Sequence, residues 1–500
     1  MKVPNGQRGM LSTRTVSPII ALLFSFLLLA CTNETGSKPS ESTQKHLVTE
    51  KPVGDFRLDL RIHGASNDVA KLLGVYGNRN FLVDSAVGDA NGNFVFAIDS
   101  LMPSGFYYLM LTSDNSYFQL LIGKEQHFAV EATKGDYVNT LKFQNSPDND
   151  LLYKNLRFEA DFNKRLEPVN NQIAQLSEGT PQFDAVKKQQ DALVKEREEH
   201  IQWFSDNHPN AFFTEFKLSG QNPKLTYPKK PNGELDKDAQ LYQYKKAFWE
   251  NVDLTDANTL RTPVFANKLR KYIKELTPQS ADSLIRYADM ITNLVKGEKE
   301  LFKYTVNWIA LEYKTPKTMG AEALYVHMID TYWTQDLAYW SNPEEIKGLR
   351  GEINLMKPSL IGKVGQDIRA KNESGEYISL YGLNAPISVL FIYSYDCEHC
   401  QKESPEMVRV YNQWKNRGLK VLALCTDTDR TKWLDFVRKN NMSFQNVLDP
   451  EKESRYERKY HIDITPELYV LDRNHRIIAS NLSPNQLPDF LEEEYQKNPW

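Results

Sequence analysis

The feature that most constrains this chain is a pair of cysteines separated by two residues, Cys397-Glu398-His399-Cys400. The pair follows an apolar run typical of a buried strand, residues 388–393, and precedes a run of helical character. At such a junction the first sulfur lies at the helix N-terminus, where unpaired N–H groups and the helix dipole favour its thiolate. The second sulfur lies one turn inside, close enough to close a disulfide. The motif therefore predicts a redox-active dithiol.

Other uses of the cysteine pair fit the sequence less well. Zinc usually takes four ligands, and the sequence has no second C-x-x-C. Covalent haem attachment needs His directly after the second cysteine, where this chain has Gln401. A purely structural disulfide here would close a short loop and remove little chain entropy. A metal site and a structural disulfide remain minor alternatives, and the sequence predicts neither a metal nor an organic cofactor.

The N-terminus indicates where the chemistry takes place. Residues 1–30 contain basic residues followed by an apolar stretch too short to favour a membrane span, which is typical of a secretory signal. The sequence Leu-Leu-Ala-Cys31 resembles the lipobox of bacterial lipoproteins, which implies cleavage before Cys31 and a lipid anchor on its sulfur. Residues 31–54 would then form a polar tether. An incidental cysteine after a signal peptide and an N-terminal membrane anchor remain alternatives.

These features predict a protein of the cell envelope that faces the periplasm or the cell surface. Thr32 after the lipidated cysteine resembles Gram-negative lipoproteins sorted to the outer membrane and favours it over the inner one. The net charge of −4 shows no excess of basic residues that would bind phosphates, so nucleic acid is not an expected partner. Four cysteines are too few for a disulfide scaffold. Cys425, in an apolar strand, is predicted to be a buried small hydrophobe, with a resolving thiol as the alternative.

The chain divides by pattern into three regions after the tether. Residues 55–145 predict a small antiparallel β-sandwich, because apolar and polar residues alternate and Asn91-Gly92 is a hairpin signal. Residues 146–355 predict an α-helical domain whose first helix would be capped by Asp150. Further helices are predicted over residues 184–204, 257–274, 280–295, 298–313 and 319–333.

Residues 356–500 predict an α/β domain that contains the cysteine pair. The run from Cys397 to Pro405 has the pattern C-x-x-C-x-x-E-x-P, and Thr465-Pro466 begins a later strand. These two motifs resemble the thioredoxin-fold thiol–disulfide oxidoreductases of the TlpA/ResA type. The whole layout resembles multidomain lipoproteins of Bacteroidetes-type bacteria, which implies a β domain and a helical domain ahead of the thioredoxin fold.

The resemblance implies a role for each matched residue. Cys397 would be the exposed nucleophile, Cys400 the buried resolving thiol, and Glu403 the acid that tunes the thiols and passes protons. Thr465 and Pro466 would form the cis-proline element that helps to bind extended substrate.

The residues around the cysteines depart from the family pattern and tune the thiols in opposite directions. His399 can stabilise the Cys397 thiolate when protonated, whereas Asp396 and Glu398 disfavour it by like charge. These signs do not fix the direction of electron flow, and a reductant or isomerase is favoured over an oxidant.

The predicted function is exchange of the Cys397/Cys400 dithiol with protein thiols and disulfides, recharged by a membrane electron donor or acceptor. Two alternatives remain. One is a redox-silent binding lipoprotein that uses the thioredoxin fold as an interaction module. The other, a thiol peroxidase, fits poorly because Leu390 stands where that chemistry needs proline.

Overall fold

The computed structural model describes residues 55–497 and 499–500. The predicted signal, Cys31 and the tether lie outside the described residues. The described residues form two compact units, the first from residues 55–73 and 82–217 and the second from residues 74–81 and those after 217. Within the described residues, no helix combines the length and the apolar character needed to cross a bilayer.

The N-terminal region contains two four-stranded sheets with the strand orders β4-β1-β7-β8 and β3-β2-β5-β6. The strands are β1 Phe56–His63, β2 Val69–Tyr76, β3 Arg79–Val87, β4 Asn93–Ile98, β5 Gly105–Leu111, β6 Tyr117–Ile122, β7 His127–Thr133 and β8 Lys142–Gln144. Alternate residues of β1 are buried, as the sequence predicts. The β1–β4, β5–β6 and β7–β8 pairs are antiparallel as predicted, but β1 and β7 run parallel. The hairpin predicted at Asn91-Gly92 is wrong, because β3 and β4 lie in different sheets and the turn crosses from one sheet to the other.

The helices predicted over residues 184–204, 257–274, 280–295, 298–313 and 319–333 each have a counterpart, although Ala257–Arg261 forms a separate 3₁₀-helix. The helices over residues 212–219, 237–247 and 343–356 were not predicted individually. Within the described residues, ten α-helices precede the C-terminal domain. They are α1 Tyr137–Thr140, α2 Pro147–Ile173, α3 Pro181–Asn207, α4 Phe212–Ser219, α5 Lys237–Ala247, α6 Pro263–Lys274, α7 Ala281–Leu294, α8 Lys299–Glu312, α9 Glu322–Tyr332 and α10 Pro343–Met356. The predicted cap at Asp150 is wrong, since Ser146 precedes the helix and Pro147 occupies its first turn. Helices α2 and α3 belong to the first compact unit, whereas α5 to α10 belong to the second.

The tip of the β2–β3 hairpin, residues 74–81, belongs to the second unit. Gly77 has a positive φ of 59° and donates its backbone N–H to the carbonyl of Leu260 at 2.6 Å. The Tyr76 hydroxyl donates to the Glu300 carboxylate at 2.6 Å, and the Tyr304 hydroxyl donates to the Asn78 side chain at 3.2 Å. These contacts fix the hairpin tip against α8.

The C-terminal region is an α/β domain with a seven-stranded sheet in the order β10-β9-β13-β12-β11-β14-β15. Its strands are β9 Arg369–Lys371, β10 Tyr377–Ser379, β11 Ile387–Tyr393, β12 Leu419–Cys425, β13 Gln445–Leu448, β14 Glu467–Asp472 and β15 Ile477–Ser480. Its helices are α11 Glu398–Trp414, α12 Arg430–Lys439, α13 Tyr456–Lys459 and α14 Leu487–Lys497.

The middle of this sheet explains the apolar run that precedes the cysteines. All seven residues of β11 are buried, because β11 is parallel to β12 and antiparallel to β14 and is covered on both faces. One face packs on α11, α12 and α14. Because β11 lies between β12 and β14, the segment after Tyr393 leaves the sheet between the end of β12 and the start of β14.

Candidate active site

The cysteine pair lies where β11 leaves the sheet and α11 begins. Cys397 is the N-cap residue of α11, with an extended backbone, and its Sγ accepts a hydrogen bond from the backbone N–H of Cys400 at 3.4 Å. Cys400 lies inside the first turn and is 0% exposed. The geometry confirms the predicted junction, with one sulfur at the helix end and the other buried beneath it. Both cysteines are free thiols.

The two thiols differ in acidity because their surroundings differ. Burial raises the pKa of the Cys397 thiol, but interactions with Cys400, with the side chain of Thr465 and with the backbone of His399 outweigh burial and lower it overall. Burial raises the pKa of Cys400 to about 12. Since the thiolate is the attacking species, Cys397 is suited to attack first, and Cys400 needs a base before it can react.

A second segment, distant in sequence, completes the site. The Thr465–Pro466 peptide bond is cis, and the Cys397 thiol donates to the Thr465 carbonyl oxygen at 3.1 Å. Strand β14 begins at the next residue, Glu467, whose partner in β11 is Ile392. Pairing of β11 with β14 therefore brings the two predicted motifs together, leaving the half-buried Thr465 and Pro466 beside the reactive sulfur.

Comparison with known proteins agrees with this geometry. Residues 361–480 match the AhpC/TSA family. The C-terminal domain is a thioredoxin-fold domain of the AhpC/TSA family. The chain is also similar to the thiol–disulfide oxidoreductase ResA of Bacillus cereus, with 24% identity over 137 residues that cover 27% of this chain and 78% of that protein.

Solved structures similar to this chain include the following two. A domain of a possible thiol-disulfide isomerase from Cytophaga hutchinsonii is 31% identical and has a TM-score of 0.27, with 28% of this chain and 95% of that one covered. A thioredoxin-like protein from Bacteroides caccae is 19% identical and has a TM-score of 0.43, with 55% of this chain and 99% of that one covered. The predicted family, a thioredoxin-like protein-disulfide oxidoreductase, is confirmed.

The other predicted residues of the AhpC/TSA domain lie on the first turns of α11. Glu398 and His399 are exposed, and the contribution of His399 to the acidity of Cys397 comes from its backbone. Glu403 is half-buried, and burial raises its pKa against the opposing charge of His399. No hydrogen bond joins Glu403 to either cysteine in the described part of the chain. Its predicted proton transfer therefore remains a proposal.

Two acidic residues of the AhpC/TSA domain lie beside these motifs without having been predicted. Asp427 follows β12, and its carboxylate holds the segment that joins β11 to Cys397. Glu467 follows the cis-proline and is 5% exposed, and its Oε1 has no hydrogen-bond partner among the residues that the structure describes. Burial, together with the charges of Asp463 and Glu322, raises the pKa of Glu467 to about 8.

The site of the AhpC/TSA domain is built from thiols, main-chain groups and carboxylates. Among the described residues, no three potential ligands of the His, Cys, Asp and Glu types form a group that could hold a metal ion. Cys425 lies on β12 opposite Tyr393 and is 0% exposed. Burial raises its pKa to about 12, which fits the predicted buried hydrophobe.

Proposed function

We propose that this protein is an extracytoplasmic thiol–disulfide oxidoreductase that exchanges its Cys397/Cys400 dithiol with protein substrates of the cell envelope. The observation that carries the proposal is the position of Cys397. Its sulfur caps α11, has a lowered pKa and lies 3.1 Å from the carbonyl oxygen of Thr465, while Cys400 is buried behind it. This arrangement exposes the Cys397 thiolate to a substrate and leaves the buried Cys400 thiol to attack the mixed disulfide afterwards.

The reducing direction transfers two electrons from the dithiol to a substrate disulfide. The Cys397 thiolate attacks one substrate sulfur, forms a mixed disulfide and releases the other sulfur as a thiolate, which takes up a proton. Cys400 gives its proton to Glu403 and attacks the Cys397 sulfur. A Cys397–Cys400 disulfide forms, and the second substrate thiol is released. A membrane electron donor then returns two electrons, and the oxidising direction is the reverse path.

Equilibration of the full chain carrying Cys31→Ser across a graded thiol–disulfide buffer tests this function. Free thiols are counted by mass, with Cys397→Ser, Cys400→Ser and Cys425→Ser as the variants. We expect a two-thiol transition that is lost in the first two variants and kept in the third, since Cys425 is buried. The midpoint reduction potential of this transition assigns the direction of electron transfer, and we favour a reductant or isomerase over an oxidant. A protein whose free-thiol count does not change at any ratio of thiol to disulfide in the buffer would be the redox-silent binding lipoprotein instead.

Glu403 is proposed as the base for Cys400 because its half-buried carboxyl has a raised pKa one turn further along α11. We expect Glu403→Gln to slow closure of the intramolecular disulfide about tenfold near neutral pH, with recovery in alkali that deprotonates Cys400 directly. Glu406→Gln is the matched control on the same helix, where Glu406 pairs with Arg409. Equal slowing by the two variants, or slowing that persists in alkali, would remove Glu403 from this role.

The location in the cell envelope is proposed from the lipobox-like sequence that ends at Cys31. We expect the protein to be lipid-anchored and to face the periplasm or the cell surface, with the outer membrane favoured. Fatty-acid labelling and density-gradient separation of membranes, with Cys31→Ser as the comparison, test this placement. Labelling that persists in Cys31→Ser would contradict the anchor.

A further inference from the structure

The carboxylate of Asp427 holds the segment that leads from the sheet to the cysteines. It accepts the Ser394 hydroxyl at 3.0 Å with each oxygen, and it accepts the backbone N–H of Tyr395 at 2.7 Å. The Ser394 hydroxyl oxygen in turn accepts the N–H of Asp396 at 3.2 Å. One acidic side chain thus fixes two consecutive residues directly and a third through Ser394.

The segment held by Asp427 contacts both reactive residues. The backbone N–H of Ser394 points to the Cys400 Sγ at 3.5 Å, and the Ser394 carbonyl accepts the N–H of Cys397 at 3.4 Å. The carbonyl of Tyr395 accepts the side-chain amide of Gln401 from the first turn of α11 at 3.2 Å. A shift of this segment would therefore move the donor that faces the resolving sulfur.

Sheet topology explains why Asp427 reaches this position. Strands β11 and β12 are parallel, with Tyr393 opposite Cys425, so both chains leave the sheet at the same edge. Asp427 follows β12 by two residues, as Tyr395 follows β11, and the two segments lie side by side. The Cys425 thiol lies 3.7 Å from the Asp427 carboxylate on its inner side.

We propose that Asp427 is a positioning residue that sets where Cys400 stands when it attacks the mixed disulfide on Cys397. This inference rests on the proposed function. The segment held by Asp427 contacts the backbone N–H of Cys397, whereas the Cys397 sulfur itself contacts Cys400 and Thr465. Loss of the carboxylate should therefore slow the second exchange step while leaving the first step nearly unchanged.

A small aromatic disulfide, dithiobis(nitrobenzoate), separates the two steps by stopped-flow absorbance. Attack by Cys397 releases one coloured nitrothiobenzoate, and attack by Cys400 on the mixed disulfide releases the second. In the full chain carrying Cys31→Ser, we expect Asp427→Ala to slow the second release about tenfold and the first less than about twofold, since hydrogen bonds to a charged group are lost. Cys400→Ser defines the trace that stops after one release.

Two milder variants keep the experiment informative if Asp427→Ala folds poorly. Asp427→Asn keeps an acceptor for Tyr395 and should restore the second step to within about threefold of the parent chain. Ser394→Ala removes only the hydroxyl contacts and should slow the second step by about threefold.

Asp367 supplies a matched control in the same domain. Its carboxylate accepts the Ser379 hydroxyl at 2.8 Å with each oxygen and the backbone N–H of Tyr381 at 3.0 Å, the same pattern of contacts away from the cysteines. We expect Asp367→Ala to change stability and neither release rate. A normal second step in Asp427→Ala, or equal slowing in Asp367→Ala, would overturn the role of Asp427. Absence of both releases from the parent chain would instead overturn the proposed function.

Discussion

Cys397 and Cys400 have opposite surroundings although they are three residues apart. Hydrogen bonds lower the pKa of Cys397, whereas burial raises that of Cys400 to about 12. We therefore expect iodoacetamide to modify Cys397 but not Cys400 at neutral pH. The pH at which the modification rate of Cys397 is half-maximal should lie below that of an ordinary cysteine. Peptide mass mapping across a pH series measures both rates. Cys400 should react at least about tenfold more slowly below pH 10, and equal rates would contradict the assignment.

Glu467 should make the stability of the protein depend on pH in an unusual direction. Its folded-state pKa of about 8 exceeds the value of about 4.3 expected in the unfolded chain, so the folded state keeps a proton that the unfolded chain releases. Stability is therefore lost as the pH rises between these two values. We expect Glu467→Gln to stabilise the protein by about 2 kcal/mol at pH 8 and much less at pH 5.

Urea unfolding at the two pH values measures this difference. Glu451→Gln, which changes an exposed carboxylate of the same domain, should leave stability nearly unchanged at both. A gain from Glu467→Gln of the same size at pH 5 and pH 8 would show that the carboxyl does not titrate as proposed.

The sequence predicts those site residues whose roles are set by local motifs. Cys397 and Cys400 are recognisable because a strand-to-helix junction is a local pattern, and the Thr465-Pro466 motif is recognisable through the family resemblance. Asp427 and Glu467 were missed because their positions depend on which strands pair. Glu467 stands in an apolar strand, and only its pairing with Ile392 places it on a covered face of the sheet.

At the scale of elements, one hydrogen bond joins β11 to α12. The Trp433 indole N–H donates to the Tyr393 hydroxyl at 3.0 Å, and both side chains are fully buried. We expect Tyr393→Phe to cost about 1–3 kcal/mol, because the indole N–H loses its acceptor in a site without water access.

Urea unfolding of Tyr393→Phe, Trp433→Phe and the double variant forms a cycle that isolates this contact. The two losses should not add, and the coupling energy should be about 1 kcal/mol. Additive losses would show that the bond contributes nothing beyond packing.

Helices were predicted more fully than strands, for a physical reason. The helices between residues 257 and 333 have local hydrogen bonds and a repeating apolar face that the sequence displays. Strands β2 and β3 were not predicted, and in β3 the exposed apolar residues such as Phe81 and Leu82 hide the alternation. The parallel pairing of β1 with β7 could not be predicted because the partner lies far along the chain.

At the scale of the whole molecule, Gly77 is the tightest point of the hairpin tip. A Cβ at Gly77 would lie 2.1 Å from the ring of Tyr304, and its φ is already positive. Phe265 and Asn78 contact that ring, so it cannot turn away freely. We expect Gly77→Ala to destabilise the second unit by about 3 kcal/mol through strain and overpacking.

Gly233→Ala is the control, since Gly233 also has a positive φ but, in the described part of the chain, no neighbouring atom lies within 4 Å of the added carbon. Chemical unfolding should show a loss at least about 1 kcal/mol larger for Gly77→Ala than for Gly233→Ala. Equal losses would attribute the effect to backbone conformation alone.

The fold class of each region was predictable, but the grouping of the regions was not. Amphipathic patterns indicate that residues 146–355 are helical, and nothing in them shows that α2 and α3 group with the first unit. Such grouping depends on which apolar helix faces pack against each other, and the sequence contains many helix faces of similar apolar character that could pair. The three-region boundaries therefore remain a prediction.

The hairpin tip has a consequence for how this chain could be taken apart. The chain enters the second unit at residue 74, leaves it after residue 81 and returns at residue 218. Cleavage of the chain between residues 217 and 218 would leave residues 74–81, which belong to the second unit, on the fragment that carries the first unit. The two units are therefore not consecutive stretches of the chain. A shortened protein that contains the dithiol domain and helices α5 to α10 would also need residues 74–81 to complete the second unit.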